Sequence, residues 1–305
     1  MAYEFKRNDR TVQTAVRRIA RREIEKTLDA MEDGARSDRI HAARKSCKKL
    51  RGLIRLVRPA FPAYARENEA LRDTARLLSG PRDAAVLIET YDAIMDAFDD
   101  EIDRPAMGRI RHGLTLELKD KRAEEALRDR TELFRQNMRA VLERAPGWKV
   151  TQGGFDGLSD GLAKTLHRAR KALEAAQADP DAASMHEWRK RVKYHWYHAR
   201  LLEPCFPEVL RGHRKAAKRL ADLLGDHHDL AVFAERLSKD ADGLGAAESR
   251  DLAIGLARRR KASIEAEAFP LGSRLFAEKP KALSRRWDRW WTIWRDMPAE
   301  AARPD

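Results

Sequence analysis

The chain has 305 residues, 36% of them charged, with a formal net charge of +13 and a pI near 9.9. Its 43% hydrophobic content is enough for a helical core, yet no run of about 18 apolar residues exists to cross a membrane. The N-terminus, M-A-Y-E-F-K-R-N-D-R, has no apolar signal region, so a soluble, cytoplasmic protein is expected, and the excess of cations points to a polyanionic partner: nucleic acid, anionic lipid or inorganic phosphate.

In chain order the pattern is helical throughout, rich in Ala, Leu, Arg and Glu. Thr11 to about Met31 predicts a first helix with Val12, Ala15, Val16, Ile19, Ile24 and Leu28 on one face, ended by Asp33-Gly34. Ser37 or Asp38 caps a second helix that Pro59 stops. A third covers about Ala63 to Leu78, Gly80-Pro81 breaks the chain, and Arg82-Asp83 opens a fourth, to about Phe98. Ala106 to Arg144 is a long apolar-periodic stretch with a possible break near Gly113. The Pro/Gly-dense segment Ala145 to Gly157 marks the boundary between two expected units, 1–148 and 149–305. Helices then follow over Leu158 to Gln177, from Asp181 to about Pro204, over Glu208 to Leu224, onward to Leu237, and over Ala246 to Ala268. Trp287, Trp290, Trp291 and Trp294 form a stripe read as a packing face of the last helix. Cys47 and Cys205 fall on apolar sides and read as small buried hydrophobes rather than a disulfide.

The second helix carries the chemistry. Arg39 to Pro59 holds eight Lys/Arg, one His and no acid. His41, Arg44, Lys45, Lys48 and Arg55 fall within about 100° of arc over about 21 Å, with Arg51 beside them and Gly52 among them, where a bare backbone lets a ligand approach. At an offset of 145 the pattern recurs as His186, Arg189, Lys190, Lys193 and Arg200, and nine of the 23 positions from Ile40 to Pro62 agree. A solvated face usually mixes Glu with Lys at i, i+4, and this one does not. The repeated cations therefore read as two walls of an anion site.

Arg72 and Arg76, with Lys218 as the counterpart of Arg72 and Lys215 one turn before it, are candidate additions. So are Arg82 at a helix start and its counterpart His228, Arg18 and Arg22 on the first helix, and Lys164, Arg168 and Arg170 in the second half. Asp83 and Asp229 read as helix caps or as partners that orient an Arg. His41 and His186 sit among cations, which disfavours a metal, so no metal or cofactor is expected and hydrogen-bonding or switchable-cation roles are preferred. His227-His228-Asp229 is a lone cluster without a second, and no nucleophile or acid/base pair stands out, so a binding module is expected rather than an enzyme.

The duplicated H-x-x-R-K-x-x-K-(x)₆-R-L pattern, with L-L-S-G-P-R-D and L-L-G-D-H-H-D following at equal distance, resembles the CHAD family, the conserved histidine α-helical domain. The resemblance implies an all-α fold of two four-helix bundles related by a pseudo-twofold axis, with a basic pore or cleft at their junction. It also implies binding of inorganic polyphosphate and, for some members, association with polyphosphate granules. Many relatives carry a fused triphosphate-tunnel domain, whose E-x-E-x-K strand is not found in this sequence. The rival readings are nucleic-acid binding by the same face, for which Trp188, Tyr194, Trp196 and Tyr197 are the available aromatics, a metal-dependent phosphohydrolase built on His227 and Asp229, and an interaction scaffold whose basic face binds an acidic protein. Neither chain-length preference nor oligomeric state is legible.

Overall fold

The computed structural model describes residues 3–32, 36–78, 80–118, 121–239 and 243–298; the side chains of 36–37, 80–84, 118 and 121–126 lie outside this description. Among the described residues there are eleven α-helices, joined by turns and short 3₁₀ segments, and no strand. In the first half they are α1 (Val12–Ala30), α2 (Arg36–Leu56), α3 (Tyr64–Arg76), α4 (Gly80–Ala97), α5 (Arg104–Leu118) and α6 (Lys121–Arg144). In the second half they are α7 (Asp156–Ala178), α8 (Ala182–Leu202), α9 (Pro207–Lys239), α10 (Ala247–Leu275) and α11 (Pro280–Asp296).

Local chemistry explains the ends. Thr11 and Thr14 form a reciprocal capping box at α1, and the Asp181 carboxylate accepts from the Ser184 N–H at 2.7 Å to start α8. Both α2 and α8 have 21 residues and run into a 3₁₀ turn with a proline at its second position, Arg58–Ala60 and Glu203–Cys205. The L-L segments then diverge. Pro81 lacks an N–H and clashes with a preceding turn, so it sits near the start of α4 while α3 ends at Arg76. The second half keeps every backbone donor through Gly225, Asp226, His227 and His228, so the two helices expected there are one, α9, about 50 Å long. Asp229 consequently lies inside a helix and caps nothing. Gly113 also breaks nothing: it lies within α5, and a Cβ there would overlap the Gly243 carbonyl. The expected end of the first helix at Asp33-Gly34 falls outside the described residues.

Two hydrophobic cores result, and each draws on both halves of the chain. The larger joins α1, α2, α3 and α6 to α7, α8, the start of α9, the end of α10 and α11. The smaller is a cluster of α4 and α5 with the far end of α9 and the start of α10, centred on Ile94, Ile110, Phe233 and Ile264. The segment at the expected boundary is tied down: Trp148 packs on Phe61 at 5.3 Å, and the Thr151 N–H donates to the Ala60 carbonyl at 2.8 Å. The tryptophan stripe packs as its spacing predicts. Trp287 and Trp291 are buried, Trp291 lies edge-on to Phe5 at 5.3 Å, and Trp290 lies edge-on to Phe206 at 5.3 Å. Cys47 and Cys205 are free and buried, and burial pushes the Cys47 thiol up to about 12. No helix among the described residues is long and apolar enough to cross a membrane.

The closest helix approaches use glycine. A Cβ on Gly161 of α7 would overlap the carbonyl oxygen of Leu56 at the end of α2, a backbone atom that cannot step aside. Gly161→Ala is expected to cost about 3 kcal/mol of unfolding free energy by overpacking, read from urea denaturation. Gly212→Ala, in open space on α9, is the control and should be neutral or stabilising by up to about 1 kcal/mol.

Candidate anion-binding site

α2 and α8 meet at their equivalent positions. Gly52 is buried, and a Cβ on it would come 2.9 Å from the Tyr197 Cβ; the His198 Nε2 lies 3.0 Å from the Gly52 carbonyl oxygen. Burial drives His198 down to about 3, so the neutral ring donates that bond. The expectation that Gly52 leaves room for a ligand is therefore corrected: the missing side chain makes room for Tyr197.

On the N-terminal side of this contact the two basic stripes converge. Arg44 is near enough to Arg189, and Lys48 to Lys193, for each α2 cation to depress its α8 neighbour. Burial is the larger cause in both cases and brings Lys193 down to about 7. Asp229 and Asp226 of α9 oppose the shift on Arg189, and Asp229 and Asp222 oppose it on Lys193. Asp229 therefore acts electrostatically on Arg189 and Lys193 from within α9. The Arg44 Nη1 donates to the Leu78 carbonyl at 3.0 Å, which holds the guanidinium at the end of α3. Among the described residues, the Nε of Arg189 and Nδ1 of His186 are buried without a hydrogen-bond partner. The His186 and His228 rings lie 4.3 Å apart, and burial beside cations lowers both, His228 to about 3. For both rings burial favours the uncharged form, and with it hydrogen bonding over a cationic role.

The remaining candidates separate into groups. His41 and Lys45 are exposed on α2, and Lys190 is exposed on α8 with Glu187 at 2.7 Å. Arg51 and Arg55 both donate to the Asn68 side-chain oxygen of α3, and the Arg55 guanidinium lies 4.2 Å over the Tyr194 ring. Arg200 points elsewhere, 5.9 Å over the Tyr3 ring. Arg72 is engaged by Glu69 and Asp73, and Arg76 by Asp73, on the α3 surface. Lys215 and Lys218 line a groove with Arg219, Asp222 and Asp226, the same aspartates that face Arg189 and Lys193. Arg18 is clamped by Asp9 and, with Arg22, lines a separate groove beside Pro146. Arg170 reaches toward the Glu278 carbonyl before α11. Lys164 and Arg168 line a recess with Arg55, and there Arg58 and Arg191 join them, two cations sequence reasoning does not single out. Arg58 continues the 44, 48, 51, 55 phase of α2 and was legible on that ground. The side chains of Arg82 and Asp83 lie outside the described residues.

Among the described residues, no cluster of three or more His, Cys, Asp or Glu has the arrangement of a metal site. His227 is 2.7 Å from Glu265, and the His228 ring lies against His186, tilted by 40°.

Comparison with known proteins settles the family. The CHAD domain profile matches residues 15–238. The chain belongs to the CHAD family. The crystal structure of the CHAD domain from the plant Ricinus communis superimposes with a TM-score of 0.63 at 20% identity, over 91% of this chain and 96% of that one, which shows a shared CHAD fold. Two uncharacterized Mycobacterium tuberculosis proteins, from strains CDC 1551 and H37Rv, are 27% identical over 241 residues, 74% of this chain. The chain spans about half the length of these curated relatives, 45% of each.

Lys193 gives this CHAD site a pH signature. Its folded value of about 7 lies below the unfolded value, so the unfolded state binds more protons between the two. The contribution of Lys193 to stability therefore rises with pH from about 7 to about 10 and is lost as pH falls through that window. Urea midpoints measured across it should rise more steeply for the wild type than for Lys193→Gln.

Proposed function

We propose that this CHAD protein binds inorganic polyphosphate without catalysis, holding the chain in a basic groove between α2 and α8. The observation that carries this reading is the convergence of Arg44 and Lys48 with Arg189 and Lys193, with the Arg189 Nε buried and unpartnered. Four cations drawn together against their own repulsion are stabilised by an anion that bridges them, through bidentate contacts from Arg and point-charge contacts from Lys. On this reading the two halves are copies of one unit, related by an axis near Gly52 and Tyr197, 145 residues apart. A cytoplasmic location, with recruitment to polyphosphate granules, follows as part of the proposal.

The aromatic rings beside α8 are committed to packing. Trp188 and Tyr197 are buried, Trp196 stacks on Tyr197 at 4.8 Å, and the partly exposed Tyr194 ring is covered by the Arg55 guanidinium at 4.2 Å, so they offer no run of platforms for successive bases. This favours polyphosphate over single-stranded nucleic acid.

Polyphosphate titration at two salt concentrations should show affinity falling steeply with salt through counterion release. Changing Arg44, Lys48, Arg189 and Lys193 together to Glu should abolish binding with helical circular dichroism retained; persistence of binding in that variant refutes the site. Displacement of long-chain polyphosphate by duplex DNA or RNA at equal phosphate concentration would instead support the nucleic-acid reading. Bound phosphate raises the Lys193 value, so binding takes up a proton above pH 7, and affinity should decline from pH 7 to 9. Lys193→Arg should flatten that decline, because Arg stays charged.

A further inference from the structure

Beyond Gly52 the cations of α2 continue to a narrow recess walled by α2, α7 and α8. Arg55, Arg58, Lys164, Arg168, Arg191 and Tyr194 line it, with Gly161 at its floor. No carboxylate is in the lining. Glu187, the acid that touches one of these cations, holds Arg191 and Lys190 together on the α8 surface. Arg55 is fixed by Asn68 at 3.1 Å and by the Tyr194 ring, yet its Nε is buried with no hydrogen-bond partner. Burial together with Arg191, Arg58 and Arg55 presses the Arg168 guanidinium below its ordinary value.

The positions 145 residues away show how such a place is neutralised from within. Arg168 corresponds to Glu23, Arg58 to Glu203, Arg191 to Ser46 and Tyr194 to Lys49. There the Glu23 carboxylate accepts from Lys49 Nζ at 2.6 Å and from Ser46 Oγ at 3.2 Å, while Glu203 holds Arg214. The N-terminal segment covers the spot, with the Tyr3 hydroxyl donating to the Lys49 carbonyl at 2.7 Å and the Phe5 N–H to the Leu201 carbonyl at 3.0 Å. Where the recess has Arg168 and Arg58, the corresponding positions carry the carboxylates Glu23 and Glu203. Among the described residues the lining cations other than Arg191 meet no carboxylate, where the counterpart has Glu23, and an external anion would supply the same neutralisation.

Size restricts which anion. The enclosed space is about 10 Å³, room for one oxygen-sized group. A chain cannot thread it, but one oxygen of a phosphate can enter while exposed Lys164 and partly exposed Arg58 close on the others. An end phosphate with a second ionisation near pH 6 carries about −1.5 to −2 charge at neutral pH, more than the single charge of an interior phosphate. We propose that the recess is a seat for a terminal phosphate, an end group of the pyrophosphate type, at the far end of the α2 stripe from the groove that holds chain interiors. Its use as the chain-end stop rests on the polyphosphate reading; its affinity for a compact phosphate does not.

Inorganic pyrophosphate is the probe for the seat itself. Calorimetric titration should show a pyrophosphate site weakened at least tenfold by Arg168→Gln and by Lys164→Gln, and changed less than threefold by Lys239→Gln at the far end of α9. Helical circular dichroism on each variant separates lost binding from lost fold, and Lys164, being exposed, can be changed without disturbing packing. Long-chain polyphosphate with free ends should bind the wild type at least threefold more tightly than chains whose ends are blocked as amides, and Arg168→Gln should erase that difference. Pyrophosphate affinity that is absent, or unmoved by both recess variants in folded protein, overturns the seat. End-blocked chains that bind as well as free ones overturn the chain-end role. If no long chain binds at all, the groove reading fails, and the pyrophosphate titration still decides the recess.

Discussion

The contact between Gly52 of α2 and Tyr197 of α8 is the constraint on which the rest depends. A helix interior ordinarily disfavours glycine by about 1 kcal/mol relative to alanine, but any side chain here would collide with Tyr197. The neutral His198 reinforces the approach by bonding the Gly52 carbonyl from inside the core. Because the helices touch at equivalent points, their equivalent cations are drawn together on one side. Arg55 and Arg200 are sent to different surroundings on the other, one to Asn68 and Tyr194, the other to Tyr3.

That geometry concentrates like charge in partly buried surroundings, which is unfavourable without compensation. The protein compensates in three ways. Asp222, Asp226 and Asp229 line one side of α9 and temper Arg189 and Lys193. The Asn68 amide oxygen holds Arg51 and Arg55 without cancelling their charge, and the Leu78 carbonyl holds Arg44. Lys193 itself gives way, with a value near 7 that leaves it about half protonated at neutral pH. A ligand-binding surface needs the second and third of these more than the first, because full neutralisation by acids would leave nothing for an anion.

Helix continuity also shapes the site. In the first half Pro81 forces a new helix, whereas the second half carries α9 straight past Gly225 and His228 into the smaller core. His228 can therefore lie against His186, and Asp229 can act on Arg189, from a helix anchored in both cores. Related stretches of sequence thus surround the groove with different chemistry on its two sides.

Much was legible in the sequence, and for a clear reason. Helical content, the apolar face of α2, the packing of the tryptophan stripe and the duplicated cations are all local, periodic properties, because a helix places residues three and four apart on one face whatever it packs against. The family could be recognised from the same spacing. Three features depended on which helix met which. Gly52 read as an opening and is a packing contact; Asp229 lies mid-helix and faces a cation; Arg58 and Arg191 became a recess only when α7 closed on α2. The sequence by itself determined that two helices would each carry a cationic face. Only the tertiary structure decided where those faces converge, which of their charges find carboxylates and which do not, since charge compensation is set by distance in space and not along the chain.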